Sequence, residues 1–219
     1  MKKKGIIFDF DGTIIDSTHE GVELCCKVAA IHKLPVPDGM KEYIRTLWGK
    51  PAHELIKICW PTAHVEEFLK DWQELDSQHP ISIFPGVKKV LPILAQKYTL
   101  SILTSRGKKA AHTQLAFHDL HPLFSYVYAL EDCPVPKPDP KSIFPLLQKY
   151  EESGIGKDAL LIVGDSVYAD MALARAVDID FIGVTWGHSS REDFETAGVR
   201  KERITDSADE LVGIIRMCT

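Results

Sequence analysis

Two points in the chain place carboxylates where a short apolar run stops. Gly5-Ile6-Ile7-Phe8 runs into Asp9-Phe10-Asp11-Gly12-Thr13, and Leu160 to Val163 runs into Gly164-Asp165-Ser166, with Asp170 a little further on. Short apolar runs bounded in this way read as buried strands. In an open parallel sheet, ligands bind beyond the carboxyl ends of the strands, near the point where strand order reverses. If these two strands are neighbours, Asp9, Asp11 and Asp165 converge. Carboxylates that close raise each other's pKa, and a bound divalent cation relieves the repulsion. Hard oxygen donors with room for water suit Mg2+. A single Asp can simply cap a helix, but a cap needs no second carboxylate two residues later.

Two further strand ends carry groups suited to an oxyanion. Thr99 to Leu103 ends in Thr104-Ser105-Arg106-Gly107. There a hydroxyl of Thr104 or Ser105, with the N–H groups that open the next helix, can bond a phosphate oxygen. Tyr126 to Leu130 is followed by Pro134-Val135-Pro136-Lys137-Pro138-Asp139-Pro140. The prolines fix φ and stiffen the loop. A stiff loop presenting one Lys137 can hold a phosphate as a point charge.

The elements that position these groups alternate. After the first strand, apolar residues recur with helical spacing: Val22, Cys25, Cys26 and Ala29; Met40, Tyr43, Ile44 and Leu47; Leu55, Ile56 and Cys59; Val65, Phe68, Leu69, Trp72 and Leu75. Residues 17 to about 82 thus read as all-helical. From Pro85-Gly86 onward, helices and strands alternate, with strands over Thr99–Leu103, Tyr126–Leu130, Leu160–Val163 and Phe181–Val184 and a closing helix near Leu211–Met217. Such alternation implies βαβ units. The expected fold is α/β: a parallel sheet of five strands or slightly more, formed by residues 1–16 and 84–219, with an all-α insert over 17–83.

Composition bounds the partners. The chain has 219 residues, 45% hydrophobic and 26% charged, which excludes disorder and coiled coil as its main description. The net charge is −5, so no broad basic face for nucleic acid is expected. The one basic run, Lys2-Lys3-Lys4, reads as a solvated tail. No apolar stretch approaches the length of about 18 residues that spans a bilayer, and the run after Lys4 is too short for a signal peptide. The five cysteines, Cys25, Cys26, Cys59, Cys133 and Cys218, form no C-x-x-C and no even framework. A reducing cytoplasm fits them. His118 and His121 have helical metal spacing but no third ligand type nearby, which favours a structural role.

Taken in order, Asp9-Phe10-Asp11-Gly12-Thr13, Thr104, Lys137-Pro138 and Gly164-Asp165 resemble the haloacid dehalogenase-like hydrolase superfamily, from Ile6 to about Trp186. The insert between Asp16 and Phe84-Pro85-Gly86 is similar to the cap of subclass I, and within it to phosphoglycolate phosphatase-like enzymes. The resemblance implies that Asp9 is the nucleophile, giving an aspartyl-phosphate. It implies that Asp11 protonates the leaving oxygen and then deprotonates the hydrolytic water. Mg2+ would be held by Asp9, the Asp11 backbone carbonyl and Asp165. Thr104, with Ser105 beside it, and Lys137 would grip the phosphoryl oxygens. Gly12 and Thr13 complete the motif in a supporting place, and Asp170 would support the metal site or orient Lys137. Carbon–halogen dehalogenases of the family lack the second Asp, because a halide leaves without a proton, so Asp11 favours phosphate ester hydrolysis.

A lid would exclude water and choose the leaving group. The stretch Arg45-Thr46-Leu47-Trp48-Gly49-Lys50 matches the family's cap loop, so Arg45 or Lys50 is expected to contact an anionic or polar substrate end. Lys50 as a Schiff-base lysine, as in phosphonate hydrolases, has no supporting feature around it. The expected activity is Mg2+-dependent hydrolysis of a small-molecule phosphate monoester. A sugar phosphomutase of the same family is the first alternative, and a phospho-accepting signalling domain is the alternative from another class. Which ester is cleaved, and whether the protein is a monomer or dimer, stays open.

Overall fold

The computed structural model describes residues 3–48 and 50–218. The strands are β1 (Gly5–Phe8), β2 (Thr99–Leu103), β3 (Tyr126–Tyr128), β4 (Leu160–Gly164), β5 (Asp180–Val184) and β6 (Ile204–Thr205). The α-helices are α1 (Ser17–Ile31), α2 (Met40–Leu47), α3 (Ala52–Cys59), α4 (Val65–Asp76), α5 (Val87–Ala95), α6 (Lys108–Phe117), α7 (Phe144–Glu152), α8 (Ala172–Ala176), α9 (Arg191–Thr196) and α10 (Ala208–Met217).

The strands form one six-stranded sheet in the order β3-β2-β1-β4-β5-β6, every pair parallel. Every residue of β1 and β4 is buried, as a strand covered on both faces requires. The chain steps from β1 to β2 and β3 on one side, then returns to place β4, β5 and β6 on the other. The order therefore reverses between β1 and β4, whose paired ends, Phe8 and Val163, lie one and two residues before Asp9 and Asp165. On one face of the sheet, Ile143, Leu146 and Tyr150 pack with Leu173 and Ala174 against Ile7 and Ile162. The Tyr150 hydroxyl lies 2.8 Å from Ser101 Oγ and 3.1 Å from the Thr99 carbonyl, which gives both buried hydroxyls a partner.

Two compact units divide the chain: residues through Asp16 with those from Ser82 on, and Ser17–Ile81. The second unit contains α1 to α4 and has its own core of Val22, Cys25, Ile44, Ile56, Trp60 and Phe68. Trp60 stacks on Phe68 with ring centroids 5.4 Å apart and donates its indole N–H to the Pro35 carbonyl at 2.7 Å. In the first unit, Ile83 bridges antiparallel to Ile15, and Asp16 N–H donates to the Ser82 carbonyl at 2.8 Å.

Several elements differ from the sequence reading. β3 stops at Tyr128 instead of Leu130, because Leu130–Asp132 forms a single turn in which Asp132 accepts the Ala129 N–H. The segment that leads from β4 to α8 is a π-turn over Val167–Met171, with Met171 N–H bonded to the Ser166 carbonyl at 3.0 Å, and the sequence reading had no counterpart for it. α9 and β6 had no counterpart. Lys3 is no solvated tail: it is buried, with Nζ 2.6 Å from Asp180 Oδ2 and 3.0 Å from the Asp158 carbonyl. Lys4 is exposed as expected, and Lys2 lies outside the described residues. All five cysteines are free.

Candidate active site

The β1 backbone carries Asp9 into the site, its N–H bonded to the Val163 carbonyl at 2.9 Å, so the carboxylate starts where the sheet ends. Lys137 reaches it from the proline-rich loop. Its Nζ lies 2.7 Å from Asp9 Oδ1 and 2.7 Å from Asp170 Oδ1, and all three groups are buried. The π-turn after β4 aims Asp170 inward, and its other oxygen accepts the Ser166 N–H at 3.1 Å. Asp165 Oδ2 accepts the His188 N–H at 2.7 Å, and Asp165 Oδ1 lies 3.4 Å from the Thr13 hydroxyl. Asp9, Asp165 and Asp170 each bring an oxygen within 4.8 Å of the other two.

Two glycines make this crowding possible. Gly12 has φ +76°, and a Cβ there would sit 2.1 Å from Asp165 Oδ2. A Cβ on Gly164 would sit 2.4 Å from the Asp170 carboxyl carbon.

Burial, and then the neighbouring Asp170 carboxylate, push Asp9 well above the usual carboxylate range. The same two causes push Asp165 up to about 7. Burial alone would favour a neutral Lys137, but Asp170 and Asp9 outweigh it and hold the ammonium above its ordinary value. With three buried carboxyl groups facing one ammonium, ionising all three would leave an excess of negative charge. An all-oxygen donor set of this kind fits a hard divalent cation.

Asp11 takes no part in that cluster through its side chain. Its carboxylate is gripped by Arg106, with Nη2 2.7 Å from Oδ1 and Nε 3.1 Å from Oδ1 and 3.2 Å from Oδ2. Thr104 Oγ1 lies 3.4 Å from Asp11 Oδ2 and accepts the Arg106 N–H at 3.0 Å. The first unit thus brings Asp9, Asp11, Thr13, Thr104, Lys137, Asp165 and Asp170 to one end of the sheet around Gly12, while Ser105 is exposed. Arg45 and Lys50 belong to the helical unit. There Arg45 Nη1 pairs with Glu42 Oε1 at 3.0 Å, Lys50 is exposed, and Gly49 lies outside the described residues. His121 stacks on His112, with ring centroids 4.9 Å apart.

Sequence reasoning gave no role to Arg106 or to the His188 and Ser166 backbone donors. A basic residue just past a strand end was a usable signal for Arg106. A backbone N–H leaves no signal in the residue type.

A parallel sheet whose order reverses beside strand-end aspartates is a ligand site by position, and comparison supplies the class. The family model of haloacid dehalogenase-like hydrolases matches residues 6–184, and the chain belongs to that family. It is similar to "Probable phosphatase IndB" of Dickeya dadantii, with 30% identity over 95% of this chain and 91% of that one. It is also similar to the "Phosphoglycolate phosphatase" of Psychrobacter arcticus, with 25% identity over 98% of this chain and 95% of that one. In fold it matches the structure of Bacillus subtilis YfnB bound to magnesium, with a TM-score of 0.77 and 19% identity over 99% of this chain and 100% of that one.

Proposed function

We propose that this hydrolase is a Mg2+-dependent phosphatase of the phosphoglycolate phosphatase kind, which cleaves a small-molecule phosphate monoester through an aspartyl-phosphate on Asp9. The observation that carries the reading is the division of labour between two aspartates on one strand end. Asp9 is buried against Lys137, while Asp11 is held apart by Arg106. On this reading one carboxylate attacks and the other moves a proton.

In the first step an Asp9 oxygen forms a bond to phosphorus as the bond to the ester oxygen breaks, and Asp11 gives that oxygen its proton. In the second, Asp11 takes a proton from the water that attacks phosphorus, and the Asp9 carboxylate leaves. Lys137 and Thr104 hold the phosphoryl oxygens as charge shifts between them. A divalent cation held by Asp9, Asp165 and the Asp11 carbonyl, with Asp170 beside it, would offset the repulsion between carboxylate and phosphate. Magnesium bound to YfnB, and the names of the two phosphatase relatives, support the reading. The helical unit would act as the cap that selects the leaving group, with Arg45 or Lys50 meeting its anionic or polar end. Five free cysteines suit a cytoplasmic setting.

The test is phosphate release from a panel of small phosphate esters, with Mg2+ and with EDTA, beside Asp9→Asn. The expected result is metal-dependent release that Asp9→Asn abolishes. Release from no ester, or release that Asp9→Asn leaves intact, would refute the reading.

A further inference from the structure

Arg106 has no task in the steps above, yet its contacts are among the shortest in the site. We propose that Arg106 is a positioning residue that acts through Asp11. It fixes the plane of the carboxylate that handles the leaving-group proton. The inference rests on the proposed phosphatase reading.

Arg106 sits in the turn between β2 and α6, and its backbone is pinned at both ends. Its N–H donates to Thr104 Oγ1 at 3.0 Å, and its carbonyl accepts the Leu130 N–H at 3.0 Å. The side chain is only 12% exposed, against 32% for Asp11. A guanidinium is a rigid planar fork, so contacts through two of its nitrogens orient a carboxylate as well as attract it. Here the grip is uneven. Oδ1 receives Nη2 at 2.7 Å and Nε at 3.1 Å, whereas Oδ2 has Nε at 3.2 Å and the Thr104 hydroxyl at 3.4 Å. Because Thr104 Oγ1 already accepts the Arg106 N–H, its own hydroxyl proton is the one turned to Oδ2. The fork and the hydroxyl together fix the plane of the carboxylate, which trades the proton, first to the ester oxygen and then from water. The proton only moves between Asp11, the leaving oxygen and the water, so no other reactant is needed.

An acid that must reach its partner within about 3 Å loses most of its effect when it can rotate. In the first step the loss falls on esters whose leaving group needs a proton. An alkoxide needs one, and p-nitrophenolate does not. The second step starts from the same aspartyl-phosphate for every ester. A residue that merely supports the fold, or that grips the phosphoryl group, would slow both kinds of ester alike.

The experiment uses the full chain as wild type, Arg106→Ala, Arg106→Lys, Asp11→Asn and the double variant Asp11→Asn with Arg106→Ala. The substrates are p-nitrophenyl phosphate and the best alkyl monoester of the panel. The quantity read is the ratio of kcat/KM on the alkyl ester to kcat/KM on the aryl ester, which reports the first step. This ratio cancels any loss of folded enzyme. The expected result is a fall of about tenfold to a hundredfold in Arg106→Ala. Arg106→Lys, with a point charge and no fork, should fall in the same direction by less. The double variant should fall no further than Asp11→Asn alone. An unchanged ratio in Arg106→Ala, or a further multiplicative fall in the double variant, would overturn the inference. A wild type inactive on every ester would instead fail the phosphatase reading beneath it.

Discussion

Lys137 brings one positive charge to a pocket where Asp9, Asp165 and Asp170 are all buried. The ammonium offsets only part of that charge, and the remainder suits a cation. Removing Lys137 leaves Asp9 and Asp170 without their shared partner. An uncompensated buried charge of this kind costs about 3–5 kcal/mol. Lys137→Ala should therefore lower the melting temperature in EDTA, and added Mg2+ should restore part of the loss by binding the folded form. Thermal melts of wild type and variant, with and without the metal, check both statements. A variant that melts like wild type in EDTA would show that the pocket's charge is balanced otherwise. At this scale the sequence was most informative where a residue type was unexpected for its place: carboxylates at the ends of apolar strands, and one lysine in a rigid loop. It was least informative for Arg106, whose partner Asp11 lies 95 residues away and is brought near only by the pairing of β1 with β2. The His188 and Ser166 backbone donors could not be read at all, because every residue but proline has an N–H.

Among the elements, β5 is tied to the start of the chain. Its first residue, Asp180, pairs with buried Lys3 at 2.6 Å and also with Arg203. Burial pushes the Asp180 carboxyl up, but the Lys3 ammonium and Arg203 guanidinium outweigh it and hold it below its usual value. A depressed folded-state pKa adds stability that is fully present above the unfolded value of about 3.9 and is lost as pH falls through the folded value. Asp180→Asn should thus melt below wild type at pH 7 and at pH 5, and the gap should close toward pH 3. A gap that stays constant with pH would mean that the contribution is packing and not charge. Lys3 was misread because a lysine beside other lysines at a chain end has the pattern of a solvated tail, and only the arrival of Asp158 and Asp180 buries it. β1, β2 and β4 were legible as buried runs. β6 has two residues and α9 has six, both too short for a period to show. The π-turn at Val167–Met171 has no pattern in the sequence, although it is what aims Asp170 at Lys137.

At the scale of the whole molecule, two units each have a core, and the residues of the candidate site other than Arg45 and Lys50 come from one of them. The insertion was legible because helical spacing continues without a strand signal from Ser17 onward. The structure draws the second unit's end at Ile81, since Ile83 pairs back with Ile15. The family match stops at residue 184, yet the chain beyond it completes the same unit. His188 closes on Asp165, β6 extends the sheet, and α10 packs beside α5, where Lys89 meets Asp209 at 3.1 Å. No helix among the described residues is long and apolar enough to cross a membrane. The central claim is chemical: phosphate leaves its ester by way of Asp9. The most direct measurement is to quench the enzyme in acid during turnover of its best ester with Mg2+, reduce with borohydride, and map the modified residue by peptide mass spectrometry. The expected result is conversion of Asp9, and no other aspartate, to homoserine. Steady phosphate release with Asp9 unmodified would contradict the account, because water would then be attacking phosphorus directly.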